Sequence, residues 1–205
     1  NRFLIGVDYG MQNDNRQRFN NNFGVRDTLN LSQIERVQSV GPFFRNEWNM
    51  LDKLDLVMGG RWDWLHYQVK DAFKTDGNQS GSRTVAQASG SIGLVYHLTE
   101  QQQIYTHVAS VFEAPTTTEL LNNPAGRGGF NPRLNAQTSL SNELGIRGNT
   151  AGFQYDTAVF FIRTWDEITP FELPSSPGRA FFRNAGQSRR LGVETRLATP
   201  EWKGL

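Results

Sequence analysis

Hydrophobic and polar residues alternate with a period of two along most of this 205-residue chain, and the 3.6-residue spacing of an amphipathic helix is hard to find in it. The clearest alternation sets Leu191, Val193, Thr195 and Leu197 on one face of a strand against Arg190, Gly192, Glu194 and Arg196 on the other. Leu54, Leu56, Met58, Trp62 and Trp64 oppose Asp55, Gly59, Arg61 and Asp63 in the same way. So do Leu140, Leu144 and Ile146 against Ser141, Glu143 and Arg147, and Phe44, Trp48 and Met50 against Arg45, Glu47 and Asn49. Each run is bounded by Gly, Asn, Asp or Pro clusters. The pattern predicts about eight strands, near residues 2–10, 38–50, 54–70, 86–98, 103–113, 138–149, 152–165 and 185–199.

The predicted connections alternate in length: short at 51–53, 99–102 and 150–151, long and polar at 11–37, 71–85, 114–137 and 166–184. Short turns on one rim and long loops on the other is the organisation of bacterial outer-membrane barrels, periplasmic turns opposite extracellular loops. Several runs reach a dozen residues, beyond the roughly 5 to 6 typical of globular strands and enough for a tilted bilayer crossing, which takes about 9 to 11. Tyr9, Trp48, Trp62, Trp64, Tyr96 and Tyr105 fall near strand ends or on apolar faces, where a lipid boundary places aromatic rings. The expected fold is all-β, a partial antiparallel transmembrane β-barrel; the alternative is a large soluble β-sandwich. Both ends lie in strand-like or turn-like sequence (Phe3, Ile5, Val7 and Tyr9; Trp202 to Leu205), so the chain reads as a piece of a longer barrel.

Composition narrows the classes further. No run approaches the roughly 18 apolar residues of a spanning helix, while alternating barrel strands average to a polar composition and are permitted. With 21 Lys+Arg against 20 Asp+Glu the net charge is +1, so no field of one sign recruits nucleic acid. The absence of cysteine excludes disulfides and thiolate metal sites.

Three stretches resemble the TonB-dependent receptor family of outer-membrane transporters. Residues 54–63 end in Gly59-Gly60-Arg61-Trp62-Asp63, like a recurrent barrel strand of that family. A second, ordered set is more specific: Gly93-Leu94-Val95-Tyr96, then Phe112-Glu113-Ala114-Pro115-Thr116 with Glu119-Leu120, then Asn131-Pro132-Arg133-Leu134, then Glu143-Leu144-Gly145-Ile146-Arg147. The third is Asn184-Ala185-Gly186 leading to Gly192-Val193-Glu194. The resemblance implies a barrel of about 22 strands whose lumen a plug closes. Residues 1–205 then supply one central segment of the barrel, with plug, TonB-contacting segment and last strand outside it. It further implies uptake of a metal chelate, a ferric siderophore foremost, with TonB, the plug and outer-membrane lipid as partners and no cofactor.

Arg45, Glu47, Arg61, Asp63, Glu143, Arg147, Arg190, Glu194 and Arg196 are expected to face a wet lumen, where charge carries no bilayer penalty. His66, His97 and His107 lack metal-ligand spacing. No Gly-x-Ser-x-Gly elbow is present, which disfavours an outer-membrane hydrolase, and no catalytic residue is assigned. Gly126, Gly128 and Gly129 lack the strand-to-helix setting of a phosphate cradle and read as flexible loop. Binding chemistry is expected in the long loops, where Arg127, Phe130 and Arg133 in one and Arg179, Phe181, Phe182 and Arg183 in another combine cations with aromatic faces suited to anionic chelates. A small closed barrel of about eight strands, acting in binding or adhesion, is the rival function. Haem, cobalamin, copper and oligosaccharide remain open as cargo.

Overall fold

The computed structural model describes residues 1–126, 128–150 and 152–199. In chain order its elements are β1 (Arg2–Asn22), β2 (Val25–Leu51), β3 (Leu54–Asp71), β4 (Gly81–Thr99), β5 (Gln102–Glu113), α1 (Thr117–Leu121), β6 (Gln137–Thr150), β7 (Phe153–Trp165), β8 (Ile168–Leu173), β9 (Ser176–Asn184) and β10 (Gln187–Ala198). Eight strands pair with their neighbours in the order β1-β2-β3-β4-β5-β6-β7-β10, every pair antiparallel, and β8 and β9 form a separate hairpin. β1 and β10 are the edges of an open sheet, so these strands are not the small closed barrel of the rival reading. The connections at 52–53 and 100–101 are short and lie on one rim, and the long ones lie on the other.

Alternation dictates which way each side chain points, and the observed registers carry it from strand to strand. Phe3, Ile5, Val7, Tyr9 and Met11 on β1 share a face with Phe44, Ile92, Leu94, Leu144, Val159, Leu191 and Val193, a broad exposed apolar surface. Such a surface belongs against lipid. Trp62 and Trp64 stand about ten residues up β3 from its start, matching the rise that crosses a bilayer. Tyr9 lies in the same cross-strand row as Trp64, through Val40. Trp48 and Tyr96 mark the lower boundary, near the short turns. Tyr105, expected with these rings, points the other way: it lies over Gly145 on the concave face, its hydroxyl 3.1 Å from Asp156 Oδ1.

Above Trp64 the alternation inverts. Leu65, Tyr67 and Val69 face inward, Tyr67 and Val69 being buried, whereas His66, Gln68 and Lys70 face outward. The outward side has left the bilayer, and the inward side is covered by loops.

Two predicted loops are ordered strand. Residues 11–37 continue β1 and β2 into one long hairpin whose turn, Phe23-Gly24, has both residues at positive φ (47° and 89°), the geometry of a two-residue hairpin turn matched to strand twist. Its upper part has polar residues on both faces, so no alternation betrays it. Side-chain bonds supply the cross-strand pairing: Asn20 Nδ2 to Thr28 Oγ1 at 2.8 Å, Asn30 Nδ2 to Asn20 Oδ1 at 2.6 Å and Arg18 Nε to Asn30 Oδ1 at 3.0 Å. Residues 166–184 likewise form the β8–β9 hairpin instead of an irregular link.

Candidate functional site

The inner wall carries charge where the sequence placed it. Arg61 on β3 pairs with Asp63, two residues along its own strand, at 2.7 Å, and also with Asp8 on β1, reaching across β2 to do so. It passes over Gly41, where any Cβ would strike the guanidinium and the Asp63 carboxylate. A glycine on the middle strand therefore lets one arginine tie three strands together. Arg45 and Glu47 pair at 2.9 Å, and Arg147 stands over the Tyr105 ring at 5.2 Å while its Nη2 donates to Gln103 at 3.2 Å. Charge on this face is paired in part, as in Arg61 with Asp8 and Asp63 and Arg45 with Glu47.

The mouth is built differently. Residues 114–126 and 128–136 fold inward and open with α1, whose capping box is formed by Thr116 and Glu119: Thr116 N–H donates to Glu119 Oε2 at 2.7 Å, and Glu119 N–H to Thr116 Oγ1 at 3.3 Å. Leu120 and Leu134 are wholly buried and form a core with Tyr67, against which Val37, Leu65, Val85, Phe130, Ile168 and Phe182 pack. The apolar upper wall is thus covered by the loop and by the β8–β9 hairpin together.

Polar ties fix this unit. Arg16 Nη1 bonds Glu35 Oε1 and Thr118 Oγ1, both at 3.1 Å. Arg83 donates to the Asn131 carbonyl and, at 3.2 Å, to Asn135 Oδ1. Asn184 clasps loop and hairpin, accepting from Asn135 N–H at 2.7 Å and donating to the Asn135 carbonyl at 2.9 Å. Burial pushes the Tyr67 phenol above its ordinary value, Glu119 adds to that, and Arg83 opposes it. Burial also lowers the Arg83 guanidinium, with Tyr67 opposing. Gly128, read as flexible, is closely packed: a Cβ there would overlap the backbone of Asn78.

Among the expected binding residues, Arg133 and Arg179 are exposed on this unit. Arg179 Nε donates to Asn122 Oδ1 at 3.1 Å, and its guanidinium lies 5.1 Å from the Phe181 ring, joining hairpin to loop. Phe181 is only 3% exposed, and Phe130 meets Tyr67 edge-on at 6.4 Å, so both rings serve packing in this conformation. Arg183 lies over Phe171 at 5.1 Å. Arg127 lies outside the described residues. Arg16 and Arg83 carry no sequence signal, and Asn184 was legible only as part of the Asn184-Ala185-Gly186 motif; the Thr116-x-x-Glu119 capping box is a sign in the sequence that this loop is ordered.

A sheet with a lipid-facing outside, a charged inside and long structured loops on one rim is matched by the family described as TonB dependent receptor-like, beta-barrel, over residues 1–205. The chain belongs to that family. It is 24% identical over 197 residues to the pesticin receptor of Yersinia enterocolitica, covering 93% of this chain and 28% of that receptor. Its fold superposes on the copper transporter OprC with a TM-score of 0.73 at 15% identity, covering 98% of this chain and 34% of that one. For the unliganded ferric citrate transporter FecA the TM-score is 0.72 at 13% identity (95% and 29%), and for the ferric yersiniabactin uptake receptor FyuA of Yersinia pestis it is 0.62 at 21% identity (95% and 29%). The chain spans about a third or less of the length of these relatives. It is a segment of an outer-membrane β-barrel of the TonB-dependent receptor family.

Proposed function

We propose that this segment forms part of the barrel and mouth of a TonB-dependent transporter for a metal chelate, most directly an anionic ferric siderophore. In the full-length receptor a plug fills the lumen and TonB couples release to the inner-membrane proton gradient, while this segment performs no covalent chemistry. The observation that carries the reading is the pair of exposed guanidiniums, Arg133 and Arg179, on a loop unit held rigidly above the lumen by a buried core. Arginine forks suit carboxylate, catecholate and similar anionic oxygens. Relatives that take up ferric citrate and ferric yersiniabactin support a chelate as cargo; a copper transporter among them leaves the metal to experiment.

The test is equilibrium binding of a panel of ferric siderophores to the full-length receptor and its Arg133→Ala/Arg179→Ala variant, with Arg127→Ala measured separately. Each charge-assisted bond contributes about 1.5 to 3 kcal/mol, so the double variant should bind its cognate chelate at least a hundredfold more weakly. Heat-modifiable gel migration should be unchanged. Equal affinity for every chelate with an intact barrel would remove both residues from the site.

A further inference from the structure

The lipid-facing wall carries two arginines where apolar residues are expected. Arg163 on β7 stands directly opposite Arg189 on β10, one step above the lipid-facing pair Phe161 and Leu191 and beside Leu140 on β6. Like charges facing each other across a strand pair repel, and among the described residues neither guanidinium is within salt-bridge distance of a carboxylate. Arg163 is held in place: its Nη2 donates to Gln187 Oε1 at 2.6 Å and its guanidinium lies 4.9 Å from the Trp165 ring. Its Nε is buried and has no partner among the described residues.

Height identifies what this pair meets. Arg163 is about ten residues up β7 from Phe153, the same climb that takes β3 to the Trp64 boundary and about the length that crosses a bilayer. The pair therefore sits at the outer headgroup level, with an amphipathic Trp165 beside it and apolar wall beneath. We propose that Arg163 and Arg189, steadied by Trp165 and Gln187, bind the phosphate of a phosphorylated outer-leaflet lipid whose acyl chains lie along Phe161, Val159, Leu191 and Val193. The anion relieves the repulsion between the guanidiniums, and the apolar strip below explains why a lipid phosphate is favoured over a free one.

The experiment is native mass spectrometry of the full-length receptor in mixed micelles holding equal amounts of dioleoylphosphatidic acid and dioleoylphosphatidylcholine. Each arginine near an anionic surface contributes about 1 kcal/mol, about fivefold, so the wild type should retain phosphatidic acid with roughly thirtyfold preference. Arg163→Gln/Arg189→Gln should lose that preference. Arg163→Lys/Arg189→Lys should keep most of it, and Arg190→Gln, on the opposite face of β10, should match the wild type. Wild-type receptor that retains both lipids equally would overturn the proposal even if the Gln variant failed to assemble. So would undiminished preference in an assembled Gln variant, or loss of the lipid to millimolar inorganic phosphate, which would make this a free-anion site.

Discussion

Along β3, residues 54–64 turn their apolar side chains outward and residues 65–69 turn theirs inward, yet strand, register and partners continue unbroken through the change. What differs is the surroundings. In the lower region the outside belongs against hydrocarbon and the inside carries charge, paired in part. In the upper region the outside is water and the inside is a protein core built on Leu120, Leu134 and Tyr67. Polarity in a barrel wall thus follows what each face touches at each height, and the lower region is stabilised by lipid where the upper one is stabilised by its own loops.

The largest effect expected is at Leu120, wholly buried in the upper core. Leu120→Ala should cost about 2 to 5 kcal/mol of local stability, opening residues 114–136 to trypsin while the barrel still shows heat-modifiable migration. Unaltered protease resistance would mean that the mouth does not depend on its own core. Exchanging side chains between the regions tests the other half of the comparison. Met58→Lys, near the bilayer midplane, should destabilise assembly into lipid vesicles by about 2 to 4 kcal/mol. Lys70→Met, on the same face above the boundary, should stay within about 0.5 kcal/mol when both variants are unfolded from vesicles by urea titration, and equal costs would erase the boundary at Trp64. Asn184→Ala removes the two bonds to Asn135 and one to the Asp166 carbonyl, at about 0.5 to 1.5 kcal/mol each. Amide exchange at Asn135 should accelerate about tenfold or more with no change in the β3 amides; concerted acceleration in β3 would join the two regions into one cooperative unit.

The lower region was the legible one. From β3 to β7 the predicted spans fall within a few residues of the observed strands, because one face meets lipid and the other water and the contrast is written as alternation. The upper part of the long β1–β2 hairpin was illegible because both its faces are exposed, and residues such as Asn20, Arg18 and Asn30 then pair through side chains without any hydrophobic signal. In the mouth, the positions of Arg133 and Arg179 on long loops could be read, but the inward packing of Phe130 and Phe181 could not. Its trace in the sequence is the adjacent pair Trp64-Leu65, where two apolar neighbours mark the phase change, and recognising it needs the knowledge that a loop returns to cover the wall.

Two neighbouring rings on β2 also bear on how the sheet is put together. Phe43 lies over Gly6 of β1 on the inner face, where a Cβ would come within 2.5 Å of its Cζ, and Phe44 lies over Gly60 of β3 on the outer face, with a Cβ there 2.7 Å from its Cε1. Sliding β1 by two residues, the smallest step that keeps every face correct, would set Phe43 against Leu4 or Asp8. The same slide of β3 would set Phe44 against Met58 or Trp62. Each misalignment would put a side chain where a glycine now leaves room for the ring, so the two Phe–Gly pairs favour the observed register of β2 against both of its neighbours.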